Sequence, residues 1–275
     1  MAPEESDPVL FALDEATGVA TLTLNRPHRF NAFTRAMLNQ WRAALDRVES
    51  DPAIRALVLT GAGKAFCAGG DMDELESFLT MTAHEKKSFL WDNVHRIALA
   101  LERIDCPVIC AINGTARGAG LDMALMCDLR VMDETAIVAE TYVNVGLMPG
   151  DGGAWYLPRL IGTSKALELL WTGDPIDAAT ALQIGLVNKV APAGQALAVA
   201  RELAQRIASK HTHAVRFSKR AVYQNMHSQS TLRSHLDMVS SHMAILEDMP
   251  AFREKVEEFQ RKAARGAAGA DKPKG

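Results

Sequence analysis

Two short glycine-rich segments carry the residues best suited to chemistry. The first reads Ala65-Phe66-Cys67-Ala68-Gly69-Gly70-Asp71 and the second Arg117-Gly118-Ala119-Gly120-Leu121-Asp122. Each comes after an apolar, strand-like run and leads into a helical pattern, with an aspartate at the helix start. Such turns leave backbone N–H groups unpaired at a helix N-terminus, where the dipole favours negative charge. Two of them converging on one point make an oxyanion hole without any cationic side chain. Glycine also serves tight turns and close packing, and either segment alone fits that use. Their joint occurrence, each with its aspartate, favours the anion site.

Spacing excludes the other glycine-based chemistries. In Gly61-Ala62-Gly63-Lys64 a phosphate loop would need glycine at position 58 and Ser or Thr at 65, which are Val58 and Ala65. A dinucleotide fingerprint fails at Phe66, and Gly114, Gly118 and Gly120 have the wrong intervals. HExxH, GxSxG and EF-hand patterns are absent. The four cysteines, at 67, 106, 110 and 127, form no CxxC pair, so free thiols are expected, with neither a disulfide framework nor a metal site.

The elements that must position the two loops read as α/β. Runs at 9–13 and 19–24 suggest a hairpin, and Met37, Leu38, Trp41, Ala44, Leu45 and Val48 recur at helical spacing behind Thr34. Short apolar strands at 55–60 and 108–112 precede the two glycine segments. Between them a single helix over 83–104 is expected, with Leu90, Val94, Ile97, Leu101 and Ile104 stepping by four and three. Strands at 129–132, 136–139 and 186–190 come next, then helices alone. The expected organisation is a core over 1–200, a helical section over 201–264 and a disordered tail over 265–275. The chain's 275 residues, 48% hydrophobic, supply a sizeable core. With 30 Lys+Arg against 33 Asp+Glu the net charge is −3, which gives no footprint for nucleic acid or an anionic membrane. The acidic start MAPEESDPVL lacks a basic or apolar leader, and no run is long enough to span a membrane, so a cytoplasmic protein is expected.

The motifs resemble, in order, those of the crotonase (enoyl-CoA hydratase/isomerase) superfamily. Asn25-Arg26-Pro27 with Asn31-Ala32 is similar to its NRP…NA signature, and 64–72 to its KAFxAGxDL segment. Ala111-Ile112-Asn113-Gly114 with Gly118-Ala119-Gly120 resembles A-x-NG…GGG, and 146–162 resembles GLxP…GG…LPRLIG. The similarity runs from about residue 9 to 260. It implies stacked ββα turns around two sheets, with a C-terminal helical section that assembles homotrimers or dimers of trimers. It also implies an acyl-CoA thioester substrate, with coenzyme A as part of that substrate and no separate cofactor. By position the oxyanion amides fall on Gly70 and Ala119. The loop of Ala68, Gly69, Asp71 and Met72 would lie along the thioester and pantetheine, while Arg26 and Arg29 are candidates for the nucleotide end. Met72, Leu75, Trp91 and the segment 81–95 would wall the acyl pocket.

The resemblance also places the acid–base groups. Hydratases of this family use two glutamates, and the first position is Asp122 here, shorter by one methylene, about 1.5 Å of reach. The second is Tyr142, a poor base for water at neutral pH. Asp151 and Glu140 are the carboxylates placed to compensate, Glu140 sharing the face of Tyr142 if that segment is extended. Hydration of a 2-enoyl-CoA is expected first. Double-bond isomerisation, hydrolysis or decarboxylation of a specialised acyl-CoA, and acyl-CoA binding without turnover are the alternatives.

Overall fold

The computed structural model describes residues 7–227 and 231–270. It divides into two compact units, the first ending at Ser209 and the second beginning at Lys210.

In the first unit β1 (Val9–Asp14) and β2 (Val19–Leu24) form the expected antiparallel hairpin. The remaining strands are β3 (Ala56–Gly61), β4 (Ala65–Cys67), β5 (Val108–Ile112), β6 (Thr115–Arg117), β7 (Leu129–Asp133), β8 (Ile137–Ala139), β9 (Ile176–Asp177) and β10 (Lys189–Ala191). They build a six-stranded sheet in the order β1-β2-β3-β5-β7-β10 and a four-stranded sheet in the order β4-β6-β8-β9. Beyond the hairpin the large sheet is parallel throughout. β3 and β5 are buried along their whole length, as strands covered on both faces must be.

The helices of this unit are α1 (Arg35–Ser50), α2 (Met72–Ser77), α3 (Ala83–Phe89), α4 (His95–Arg103), α5 (Ala119–Leu125), α6 (Gly153–Ile161), α7 (Thr163–Thr172), α8 (Ala178–Gln183) and α9 (Ala196–Ala208). Thr34 caps α1 as its spacing predicts, accepting from the Met37 amide at 3.2 Å. Met37, Leu38, Trp41, Leu45 and Val48 are the buried face of α1.

Three expectations need correction. The glycine segments are not simple turns from strand to helix: the first contains a short strand, β4, the second begins on the last residue of another, β6, and these two pair in parallel in the small sheet. The expected single helix over 83–104 is α3, a π-helical turn at Leu90–Val94 and α4. Its apolar stripe survives, with Val94, Ile97, Leu101 and Ile104 buried, because a period of three and four does not reveal one added residue. The core also runs past the expected boundary at 200. Ala196, Ala200, Leu203, Ala204 and Ala208 of α9 pack on Val58, Ile109 and Val131 of the large sheet, so α9 belongs to the sheet it covers.

The second unit is helical as expected: α10 (Thr212–His227), α11 (Leu232–Glu247) and α12 (Pro250–Ala270). Thr231 and Ser234 close a capping box at the start of α11, and His242 stacks on Phe217 with ring centroids 4.6 Å apart. α12 continues to Ala270, past the expected start of the tail at 265, and residues 271–275 lie outside the described residues. No helix among the described residues is long and apolar enough to cross a membrane.

Close approach of the two glycine segments fixes their relative position. A methyl group on Gly120 would collide with the Cys67 carbonyl group, which is backbone and cannot step aside. Gly120→Ala is therefore expected to lower stability by about 2 kcal/mol or more, measured from the urea midpoint at unchanged slope.

Candidate active site

The first loop is held by the segment before α1. The Phe33 amide donates to Gly69 O at 2.9 Å, the Asp71 amide to Phe33 O at 3.0 Å, and the Ala68 amide to Phe30 O at 3.0 Å. Asn31, fully buried, accepts from the Arg26 amide and donates to Ala62 O and Ala65 O, each at 2.8–2.9 Å. These bonds account for the Arg26…Asn31 spacing: one asparagine ties three stretches of backbone together. Among the described residues the Gly70 amide has no protein acceptor, and neither has the Ala119 amide at the start of α5. Each comes directly after a glycine with positive φ, Gly69 at +99° and Gly118 at +48°. That conformation rotates the next peptide out of the path of the chain, which a Cβ would resist. The loops are adjacent, since a methyl group on Gly69 would come within 3.6 Å of Ala119 N.

Asp122 lies three residues beyond Ala119, one turn along the same face of α5. It is fully buried and is no helix cap, because Gly118 occupies that position. Its Oδ2 accepts from the Tyr142 hydroxyl at 2.8 Å and from the Asp151 amide at 3.2 Å. The same hydroxyl is 3.0 Å from Asp151 Oδ2. A phenol has one proton for these two acceptors, so both contacts are satisfied together only when one carboxyl carries a proton and donates in turn. Glu140 is buried on the other side of Asp122. A methyl group on Gly153 would strike Asp122 Oδ1 and come within 3.0 Å of Glu140 Oε1, so the missing Cβ is what admits both carboxyls.

Burial sets the charge of this cluster. It is the main cause that raises Asp122 to about 6, with Asp151 adding to it and Tyr142, Glu140 and the Gly153 amide opposing. Burial first, and then Asp122, raises Glu140 to about 10. Among the described residues neither Glu140 oxygen has a hydrogen-bond donor, and Asp122 Oδ1 beside it has none either. Asp151 is also raised by burial, against the hydrogen bond from Tyr142 and the charge of His95. Tyr142 is pushed far above the usual phenol range by burial and by both aspartates, so it acts as a donor and not as a base.

The four acid–base candidates thus come together, by a route that differs from the expectation of an extended 140–142. Residues Thr141–Val145 form a 3-10 turn, and Glu140 and Tyr142 reach Asp122 from either side of its start. Other assignments change. The Arg26 guanidinium donates to Asp71 at 2.6 Å and to Ala32 O at 2.5 Å, inside the fold. Asp71, buried and held below the usual carboxylate range by Arg26 against the cost of burial, braces the loop from behind. Arg29 is exposed and pairs with Asp73, while Ala68 and Met72 face outward. Trp91 is exposed, and the Leu75 side chain lies outside the described residues. Among the described residues no group of three or more His, Cys, Asp or Glu is arranged to hold a metal ion. Sequence reasoning missed His95 as an individual residue. Its Nε2 donates to Gly150 O at 2.7 Å and stands 3.9 Å from Asp151 Oδ1. Nothing in the helical pattern marks it.

Residues 14–262 match the family model described as enoyl-CoA hydratase/isomerase. A crotonyl-CoA hydratase of Syntrophomonas wolfei is 39% identical over 215 residues, 78% of this chain and 81% of the relative. A 1,2-epoxyphenylacetyl-CoA isomerase of Escherichia coli is 34% identical over 88% of this chain and 92% of its own. The crystal structure of an enoyl-CoA hydratase of Mycobacterium smegmatis superposes with a TM-score of 0.85 at 33% identity, covering 94% of this chain and 97% of that one.

Because Asp122 rises from 3.8 to about 6 on folding, its contribution favours the folded state below pH 4 and is lost as pH climbs through 6. That rise corresponds to about 3 kcal/mol. Asp122→Asn keeps an acceptor for Tyr142 without the charge. Denaturant titrations are expected to show the variant gaining on the parent protein between pH 4 and pH 7 by a difference of that order.

Proposed function

The chain belongs to the enoyl-CoA hydratase/isomerase family, and from that premise we propose that it hydrates a 2-enoyl-CoA through a thioester enolate. The observation that carries this reading is the single hydroxyl of Tyr142 shared by Asp122 and Asp151. Two carboxyls holding one proton supply a base and an acid at once, as syn addition of water requires. Asp122 and Asp151 divide the two tasks, one taking the proton of the attacking water and the other delivering a proton to Cα, and Tyr142 returns the proton between them. The Gly70 and Ala119 amides, free of other acceptors, hold the developing oxyanion of the thioester. Glu140 stays neutral beside Asp122.

Coenzyme A enters as part of the substrate, along the outward-facing Ala68–Met72 side of the loop, with Arg29 within reach of the nucleotide end. A cytoplasmic homotrimer or dimer of trimers completes the reading. The exposed Leu232, Leu236, Met243 and Phe252 of the helical unit support assembly. A second reading, double-bond isomerisation, draws on Tyr142: with no second glutamate, a site that only shuttles a proton needs just one carboxylate.

Incubation with crotonyl-CoA is expected to consume the enoyl absorbance and give a product heavier by one water. Asp122→Asn is expected to lower kcat by about 100-fold or more. Unchanged turnover in that variant overturns the acid–base assignment. A product of unchanged mass with a shifted double bond selects isomerisation, release of free coenzyme A selects hydrolysis, and binding without turnover removes the catalytic reading altogether.

A further inference from the structure

His95 stands outside the machinery assigned so far, and the backbone around it is unusual. α3 and α4 are joined by the π-helical turn Leu90–Val94, in which the His95 amide donates to Leu90 O, five residues back. The Asn93 side-chain amide donates to Phe89 O at 2.8 Å within that turn. One added residue rotates the downstream helix by about 100° relative to an uninterrupted α-helix, and such turns recur at functional sites. Here the rotated residue is His95. Its ring meets Trp91 edge-on, with centroids 6.0 Å apart, and its Nε2 reaches the Gly150 carbonyl at 2.7 Å. A carbonyl oxygen only accepts, so Nε2 carries the hydrogen.

Gly150 O belongs to the same peptide unit as the Asp151 amide, and that amide donates to Asp122 Oδ2 at 3.2 Å. The peptide is trans and planar, so its C=O and N–H point in opposite directions. One end is held by His95 and the other by Asp122. Fixing the plane at both ends also fixes the Asp151 Cα, from which the carboxyl reaches Tyr142 with Oδ2. A hydrogen bond accepted at the carbonyl further polarises the N–H of the same unit, strengthening it as a donor. The other carboxyl oxygen, Asp151 Oδ1, is buried, has no hydrogen-bond partner among the described residues and lies 3.9 Å from the imidazole.

We propose that His95 is a positioning residue that clamps the Gly150–Asp151 peptide and thereby sets both aspartates of the acid–base pair. The inference rests on the hydratase reading only for its kinetic consequence; the clamp itself is a property of the free protein. The π-helical turn is the device that brings a residue of α4 round to a loop 55 positions later.

Three variants separate the clamp from a general effect on folding. In His95→Gln the side-chain amide reaches as far as Nε2 and donates to Gly150 O; in His95→Asn it is one methylene too short; His95→Ala has no donor. With crotonyl-CoA, His95→Asn and His95→Ala are expected to lose about 10- to 100-fold in kcat, the scale of a displacement near 1 Å, with KM within about twofold of the parent. His95→Gln is expected to stay within about threefold of the parent in kcat. Without substrate, hydrogen–deuterium exchange over residues 146–156 is expected to quicken about tenfold in His95→Asn and His95→Ala and to match the parent in His95→Gln. Equal losses in Gln and Asn, a loss confined to KM, or exchange unchanged in all three overturns the clamp. If the parent turns over no enoyl-CoA while the exchange pattern appears as described, the hydratase reading falls and the clamp stands.

Discussion

Three carboxyl groups buried side by side cannot all be charged, and the rest of the site is a consequence of that repulsion. Asp122, Glu140 and Asp151 are buried together, and among the described residues no lysine or arginine pairs with them. The protein therefore keeps protons where water would not leave them, on Glu140 and, up to about pH 6, on Asp122. Neutralising the group with a cation would have frozen it as an ion pair. Left to share protons, the group keeps a neutral Glu140 beside an Asp122 that titrates near 6. On the proposed reading the anion formed during reaction is met by the Gly70 and Ala119 amides instead of a positive side chain, so the two halves of the site solve opposite electrostatic problems.

Supporting structure is arranged around those two requirements. Asn31 ties the first loop to the chain before α1, and Arg26 with Asp71 braces it from behind. The second loop is set by close approach of Gly120 to Cys67. On the acid–base side, Gly153 leaves the gap through which Asp122 and Glu140 meet. These residues do no chemistry, yet a methyl group or a lost hydrogen bond at any of them moves a reacting atom. Small displacements are costly in a site that works by preorganisation.

The sequence made the two loops legible because glycine and unpaired amides are local features, readable without knowing the fold. Asp122 and Asp151 were legible as well, through their places in ordered motifs. Long-range facts were not. Arg26 looks free beside Pro27, and only the return of the chain 45 residues later brings Asp71 to it. A 3-10 turn at 141–145, closed by Gly146 in a left-handed conformation, stands where a shared face for Glu140 and Tyr142 would need an extended segment. His95 is hidden most completely: the apolar stripe of 83–104 keeps its spacing through the π-helical turn, while the polar face beside it is rotated. The boundary at 200 was misplaced for a related reason, since the small residues of α9 read as an ordinary amphipathic helix and give no sign of the sheet beneath.

That covering helix has a consequence for how the protein is made. Every group assigned to the chemistry precedes residue 154, but the sheet carrying them is closed by β10 at 189–191 and covered by α9, which ends at Ala208. During synthesis the apolar face formed by Val58, Ile109 and Val131 stays uncovered while the intervening 55 or so residues are added. At ribosomal speeds of about 5–20 residues per second that interval lasts on the order of 3–11 s. The nascent chain thus carries its complete set of reactive groups on a sticky, unfinished sheet for several seconds, a period in which chaperones rather than substrate are its natural company.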